Sequence, residues 1–370
     1  MTVDRIEKLK LQTAHAGLDA VAVIPGPNLI YLTGLSFHLS ERPVVAFFPV
    51  EGAPVLLAPA LEETKARSVS FGQQLFTYTD TEGPTSAFAQ VLRTLGLAGK
   101  RLGIEGRRMR FLELDLMAGG GYAPQPVNAD AVIAALRMRK NADEIALMRR
   151  AAGIAEQALQ ATLPFVHPGR TEKEIAAELT VQTLRAGSDA ELPFTPLVAS
   201  GANGANPHGF PTERKLQSGD LVTIDWGAAA GRYLADITRT YVVGGADVHP
   251  ELRRAYAAVQ AANAAGRAAA APGATGQDVD RAARKVILDA GLGEYFIHRT
   301  GHGLGLEGHE EPDMKEGATM PLEPGMTFTV EPGVYIPGIG GVRIEDDIVI
   351  TKDGAESLTT LPRDFEIIGA

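Results

Sequence analysis

Short apolar runs of strand length recur through the first 130 residues, at 19–24, 44–50, 55–58, 75–79 and 101–105. Helix-like stretches such as 84–97 lie between several of them and end in turns that contain glycine. Residues 1–130 therefore read as a small α/β domain, in which no constellation of catalytic residue types stands out. His15 and His38 there read as solvated or packed rings. Across 131–370 helical spacing becomes prominent. Asn141 and Glu144 form a variant capping box, and Ile145, Met148, Ala152, Ala155 and Leu159 then fall on one helical face. Pro164 and Pro168-Gly169 close that helix. Thr171 and Glu174 form a full capping box whose helix stops at Gly187. The alanine-rich stretch 251–271 ends at Pro272-Gly273 and reads as a helix packed closely through small side chains. Thr275 caps a further helix to about Gly291.

A weak internal repeat follows the same pattern. Gly219-Asp-Leu-Val-Thr-Ile-Asp225-Trp-Gly227 matches Gly325-Met-Thr-Phe-Thr-Val-Glu331-Pro-Gly333 position for position. A second apolar segment with a second acid, Asp236 or Glu345, follows each copy. The expected structure is two β-hairpins that each present two acids. Alternate strand residues share a face, so Thr223 and Asp225 point away from Val222 and Ile224. Thr327, Thr329 and Glu331 likewise oppose Met326, Phe328 and Val330. One acid at a strand end needs no explanation beyond contact with water. Four that converge would raise one another's pKa values, and two divalent cations would neutralise them. Paired metal ions of this kind form co-catalytic centres in aminopeptidases and phosphatases.

A nitrogen ligand is close in sequence. His298-Arg-Thr-Gly-His302-Gly-Leu-Gly-Leu-Glu-Gly-His309 holds three of the chain's eight histidines in a glycine-rich segment. Residues 303–308 also satisfy G-x-G-x-x-G. The following His309-Glu-Glu-Pro-Asp does not open a helix, so a dinucleotide site is excluded there. Composition narrows the class further. With 370 residues, 45% hydrophobic and 22% charged, the chain has room for about two folded domains. A net charge of −10 argues against broad nucleic-acid binding. The absence of cysteine excludes disulfides and thiolate chemistry. Apolar runs are too short to span a bilayer, and the first residues lack a secretory pattern, so a cytoplasmic protein is expected.

Taken in order, Ile224-Asp225-Trp-Gly, Asp236-Ile-Thr-Arg-Thr, Gly301-His302-Gly-Leu-Gly, Val330-Glu331-Pro-Gly and Gly341-Val-Arg-Ile-Glu345-Asp resemble the pita-bread metallopeptidases. That family includes methionine aminopeptidase, aminopeptidase P, prolidase and creatinase. The resemblance implies an α+β fold, with duplicated β-hairpin halves in a C-terminal pita-bread domain behind the smaller α/β domain. It places metal ligands on Asp225, Asp236, His302, Glu331 and Glu345 without substitution, with Asp236 and Glu345 bridging. Asn206-Pro207-His208-Gly209 matches a substrate-binding histidine motif, and His309 matches the second such histidine. His298 resembles the proton-relay histidine of aminopeptidase P. Arg343 faces the same side of its strand as Glu345. Its bland reading is a charge partner for the acids; the reading adopted is a fork that senses the substrate's C-terminal carboxylate and so favours short peptides.

The form Val-Arg-Ile-Glu-Asp resembles prolidases and aminopeptidases P. The implied activity is Xaa-Pro dipeptidase: hydrolysis of short proline-containing peptides by a bridging hydroxide of a dinuclear metal centre. Glu331 would orient the water and carry its proton to the leaving nitrogen. His309 would stabilise the oxyanion, and His208 would hold substrate near its proline. A site with one nitrogen and otherwise oxygen ligands suits Mn²⁺ best, with Co²⁺, Fe²⁺ or Zn²⁺ as alternatives. The nearest alternative is aminopeptidase P activity on longer peptides. The remote one is a non-catalytic peptide-binding protein, disfavoured because the ligand set is intact. The resemblance also implies a homodimer.

Overall fold

The five apolar runs of the first region become β1 (Ala20–Val23), β2 (Val45–Pro49), β3 (Val55–Pro59), β4 (Gln74–Tyr78) and β5 (Arg101–Ile104) in a computed structural model that describes residues 2–245 and 247–369. A sixth strand, β6 (Gln125–Asn128), is polar, largely exposed and paired only to β5, so its sequence carries no strand pattern. The sheet order is β4-β3-β2-β1-β5-β6, with antiparallel pairs at β1–β2 and β2–β3 and parallel pairs elsewhere. Both faces are buried. Val21 and Val23 pack with Leu9, Leu29 and Leu56, whereas Ala20 and Ala22 pack with Phe47, Phe88 and Leu92. Helices α1 (Thr2–His15), α2 (Pro27–Thr33), α3 (Glu63–Arg67), α4 (Thr85–Thr94), α5 (Phe111–Gly119) and α6 (Asp130–Arg137) complete this unit, which spans Met1–Arg137.

The second unit, Met138–Ala370, holds α7 (Ala142–Thr162), α8 (Glu172–Arg185), α9 (Pro250–Ala269) and α10 (Gly276–Asp289). Asn141, Thr171 and Thr275 cap α7, α8 and α10, each reciprocating with the acid three residues on. Its strands are β7 (Leu197–Ser200), β8 (Leu221–Ala230), β9 (Tyr233–Val243), β10 (Gly301–Gly303), β11 (Glu310–Met314), β12 (Thr327–Val330), β13 (Gly333–Ile336), β14 (Gly340–Arg343), β15 (Asp346–Ile350), β16 (Ala355–Ser357) and β17 (Ile367–Ile368). They form sheets β17-β9-β8-β7 and β11-β10-β12-β15-β16 and the ribbon β13–β14.

The duplicated segments fold as two hairpins of different regularity. The first, β8–β9, pairs without interruption from Leu221↔Val242 to Ala230↔Tyr233. The second is broken in both arms. Its outgoing arm is β12 then β13, separated by Glu331-Pro332, and its returning arm is β14 then β15, separated by Ile344-Glu345. Pro332 has no N–H to donate to a ladder, which suits a break at that point. Each half has its own helical cover. Val222, Ile224 and Trp226 of β8 bury against Met148, Ala152, Ala155 and Leu159 of α7. Val334, Val342 and Ile344 bury against Leu252, Ala255 and Val259 of α9. Apolar faces thus turn outward to helices, and the polar faces of the two halves are left to one another.

Candidate active site

The four acids of the two hairpins come together. In the β8–β9 register Asp225 lies opposite Thr238 and Gly227 opposite Asp236, which puts both acids on one face of the ribbon. Thr238 also bridges to Glu345, whose N–H donates to the Thr238 carbonyl at 3.1 Å. The Thr238 hydroxyl donates to Glu345 Oε2 at 2.6 Å. That bridge ties the break in the second hairpin to the middle of the first. Ligand atoms of Asp236, His302 and Glu345 all lie within 4.8 Å of one another. His302 Nε2 lies 3.3 Å from Glu331 Oε1 and 3.8 Å from Asp236 Oδ2.

Glycine brings the histidine in. A Cβ on Gly301 would stand 1.9 Å from the Thr329 carbonyl oxygen, so β10 can lie this close to β12 only without a side chain there. The His302 Nδ1 binds the Gly303 carbonyl at 3.1 Å, which leaves Nε2 as the free lone pair facing the acids. Residues 303–308 form no helix, in keeping with the exclusion of a dinucleotide site.

The electrostatics of the cluster are those of too much buried negative charge. Burial, followed by repulsion from Asp225, pushes the Asp236 carboxyl well above its usual range. Burial and repulsion from Asp236 do the same to Glu345. Burial raises Asp225 against the opposing pull of Arg343, and it raises Glu331 to about 7. Burial also holds His302 well below its usual range, in its neutral form. Asp225 Oδ1 is buried and has no hydrogen-bond partner. A buried carboxylate oxygen with no donor, beside three further acids and a neutral imidazole, is a donor set that fits divalent cations.

One cation does enter the cluster. Arg343, 4% exposed, donates from Nη2 to Asp225 Oδ2 at 2.5 Å, from Nε to Thr238 Oγ1 at 3.1 Å, and from Nη1 to the Tyr335 hydroxyl and the Pro207 carbonyl at 2.9 and 3.0 Å. Four of its five N–H groups are therefore spent inside the site. These contacts are those of a charge partner for the acids rather than of a fork held open for substrate. Tyr335 extends the chain of bonds. Its hydroxyl lies 3.0 Å from His298 Nε2, while His298 Nδ1 binds the Arg299 carbonyl at 2.7 Å. His298 thus stands behind the acids and touches them only through Tyr335 and Arg343. His309 packs its ring 4.0 Å from that of His302, and His309 and His208 are both exposed at the rim.

Sequence reasoning missed Thr238, Tyr335 and Asp347. Tyr335 sits in Gly333-Val-Tyr-Ile336, where an aromatic reads as core; its spacing of four from Glu331 was the available signal. Asp347 is buried and accepts from the Asp236 N–H at 3.2 Å. Neighbouring Asp346 faces the other way, into Arg239 and Arg363, which hold its carboxyl down at about 2 against the effect of burial. Trp226, adjacent to Asp225, points to the opposite face and donates to the Ala155 carbonyl at 2.9 Å.

Comparison with known proteins agrees with this arrangement. Residues 146–352 match metallopeptidase family M24, and residues 5–139 match the Creatinase/Prolidase N-terminal domain. The probable dipeptidase PepE of Mycobacterium tuberculosis is 37% identical over 361 residues, 96% of this chain and 94% of that protein. The dipeptidase structure from Pyrococcus horikoshii OT3 is 39% identical with a TM-score of 0.92, covering 98% of this chain and 100% of that one. The prolidase from Thermococcus sibiricus is 34% identical with a TM-score of 0.93, covering 98% of both chains. The protein has the pita-bread fold of these enzymes behind a Creatinase/Prolidase N-terminal domain, and it belongs to metallopeptidase family M24.

Proposed function

We propose that the protein is an Xaa-Pro dipeptidase whose site takes two divalent metal ions, Mn²⁺ by preference. The observation that carries this reading is the buried gathering of Asp225, Asp236, Glu345, Glu331 and neutral His302, with Asp225 Oδ1 left unpartnered. These five side chains would hold the metal. When bound, the ions supply Lewis acidity and lower the pKa of a water molecule. Glu331 takes the proton of the attacking water and delivers it to the departing proline nitrogen, a role for which its carboxylate, 3.3 Å from His302 at the acid cluster, is placed. Arg343 pulls Asp225 towards its ionised form against the effect of burial, and the guanidinium acts on the acid through this contact. His309 and His208, at the rim, donate to the scissile carbonyl and to the proline end of the peptide. The bond cleaved has a tertiary amide with no N–H, so no group of the site needs to accept one.

The names of the similar proteins, dipeptidase and prolidase, support a preference for dipeptides. The test is a panel of Xaa-Pro dipeptides, Xaa-Pro-Yaa tripeptides and proline-free dipeptides, run on chelated protein with Mn²⁺, Co²⁺ or Zn²⁺ restored. Cleavage of Leu-Pro that disappears on chelation and returns with metal is expected. Tripeptide cleavage without dipeptide cleavage would make the protein an aminopeptidase P instead.

A further inference from the structure

The capping box that opens α8 contains a second acid, Glu172, which caps nothing. It is the first residue of the helix and is fully buried. Its two oxygens accept five hydrogen bonds, all from one loop. Oε1 accepts from the backbone N–H and the hydroxyl of Ser200, both at 2.7 Å. Oε2 accepts from Asn203 Nδ2 at 2.8 Å, from the Thr212 N–H at 2.9 Å and from the Thr212 hydroxyl at 2.7 Å. The first backbone groups of α8 join in: Glu172 N–H donates to Arg214 O and Lys173 N–H to Thr212 O. One carboxylate therefore ties together both ends of the segment 200–212, and His208 is carried between them. A neutral amide could not replace it, since five donors need two acceptor oxygens and glutamine offers one.

The middle of the loop is fixed separately to the strand that bears Arg343. A Cβ on Gly341 would lie 2.0 Å from the Gly204 carbonyl oxygen, so loop and β14 meet backbone to backbone. The Pro207 carbonyl, next to His208, accepts from Arg343 Nη1 at 3.0 Å. Arg214 closes the network by donating from Nη1 to the Ser200 hydroxyl at 2.7 Å while pairing with Asp220. We infer that Glu172 is a positioning residue for substrate binding: it holds the loop 200–212 in one conformation, so that His208 is in place before the peptide arrives. The assignment rests on the substrate contact proposed for His208. Pre-placed groups spare the substrate the entropic cost of ordering them, and a displacement of about 1 Å is enough to lower turnover efficiency strongly.

The experiment uses the Mn²⁺-loaded enzyme with Leu-Pro as probe and compares Glu172→Gln, His208→Ala and the double variant. Glu172→Gln is expected to raise KM about tenfold with kcat held within about threefold, as His208→Ala does. The double variant should be no worse than His208→Ala alone, because the two act through one contact. Amide exchange at Ser200 and Thr212 should accelerate in Glu172→Gln, while exchange in the middle of α7 stays unchanged. If that variant does not fold, Thr212→Val, which deletes one of the five bonds, should also raise KM, by roughly threefold. Unchanged exchange and unchanged KM in the folded variant, or a double variant whose KM change is the product of the two, would overturn the role of Glu172. An unchanged KM in His208→Ala, beside accelerated loop exchange in Glu172→Gln, would overturn the substrate contact of His208 instead.

Discussion

Glu331 and His298 show how two titratable side chains of one site are set to different tasks by their surroundings. Glu331 follows β12 and lies 3.3 Å from His302; burial raises it to about 7 in the metal-free protein, and with metal bound its carboxylate can accept a proton from water and pass it on. Glu331→Gln keeps the shape and removes that ability. Its kcat on Leu-Pro should fall by roughly 10²–10⁴-fold. The chelated variant should unfold at no lower temperature than chelated wild type, because a repelled acid has been made neutral. A fall of less than tenfold would remove Glu331 from proton transfer.

His298 is held neutral, its pKa lowered from 6.5 to about 4 by burial. Because the folded value lies below the unfolded one, stability tied to this ring is fully present above about 6.5 and drains as the pH falls towards 4. The advantage in Tm of wild type over His298→Gln should therefore shrink between about pH 7 and about pH 4.5, as thermal unfolding would record. A constant difference would mean that the ring does not titrate in this window. The four acids could be foreseen because strand alternation and the repeated segment put them on polar faces, and His302 because three histidines crowd the glycine-rich segment 298–309 and its motif resembles that of the family. The partners of Arg343 could not. Which of two chemically sensible contacts an arginine makes depends on what stands opposite it, here Asp225, Tyr335 and Thr238 from three different strands.

Elements, more than residues, explain why the second hairpin carries its acids at breaks. Asn263, fully buried on the alanine-rich α9, donates from Nδ2 to the Val330 carbonyl at 3.0 Å, the Ile344 carbonyl at 3.3 Å and Asp346 Oδ2 at 2.9 Å. These two carbonyls immediately precede Glu331 and Glu345, so one amide satisfies the backbone at both interruptions. Gly266, one turn along, lets the helix approach: a Cβ there would stand 2.9 Å from Val330 Cγ1. Small side chains in α9 thus serve a close contact, as the composition of 251–271 suggested, but the reason for the contact was not legible. Nothing in the order of apolar and polar residues says that a strand will stop before Glu331 and resume after Pro332. Asn263→Ala should destabilise the protein by about 1–3 kcal/mol, the range for leaving buried polar groups without partners. It should also lower metal affinity, since both breaks carry proposed ligands. Urea unfolding of chelated protein isolates the first effect, and metal titration the second. An unchanged urea midpoint would show that water replaces the amide without loss.

At the scale of the whole molecule, the second unit spends stability to build its site. Asp225, Asp236, Glu331 and Glu345 all have carboxyls raised first of all by burial. A raised folded pKa contributes stability that is complete below the unfolded value near 4 and is lost as pH rises through the folded one. Without metal, then, the folded chain should weaken as pH climbs from about 6 to about 8, the interval around the value of about 7 for Glu331. Histidines kept neutral by burial oppose this only below about 6.5, where they begin to charge in the unfolded chain. Divalent ions that bind the folded state alone reverse the loss by mass action. Adding Mn²⁺ to chelated protein should raise Tm by several degrees, and by more at about pH 8 than at about pH 6, because protons compete for the same oxygens at the lower pH. The first unit, Met1–Arg137, supplies none of these groups, so any transition of its own in the same melting experiment should not move with metal. Equal shifts at both pH values would mean that the ions bind elsewhere than among these carboxyls, and the charge balance on which the site is built would have to be redrawn.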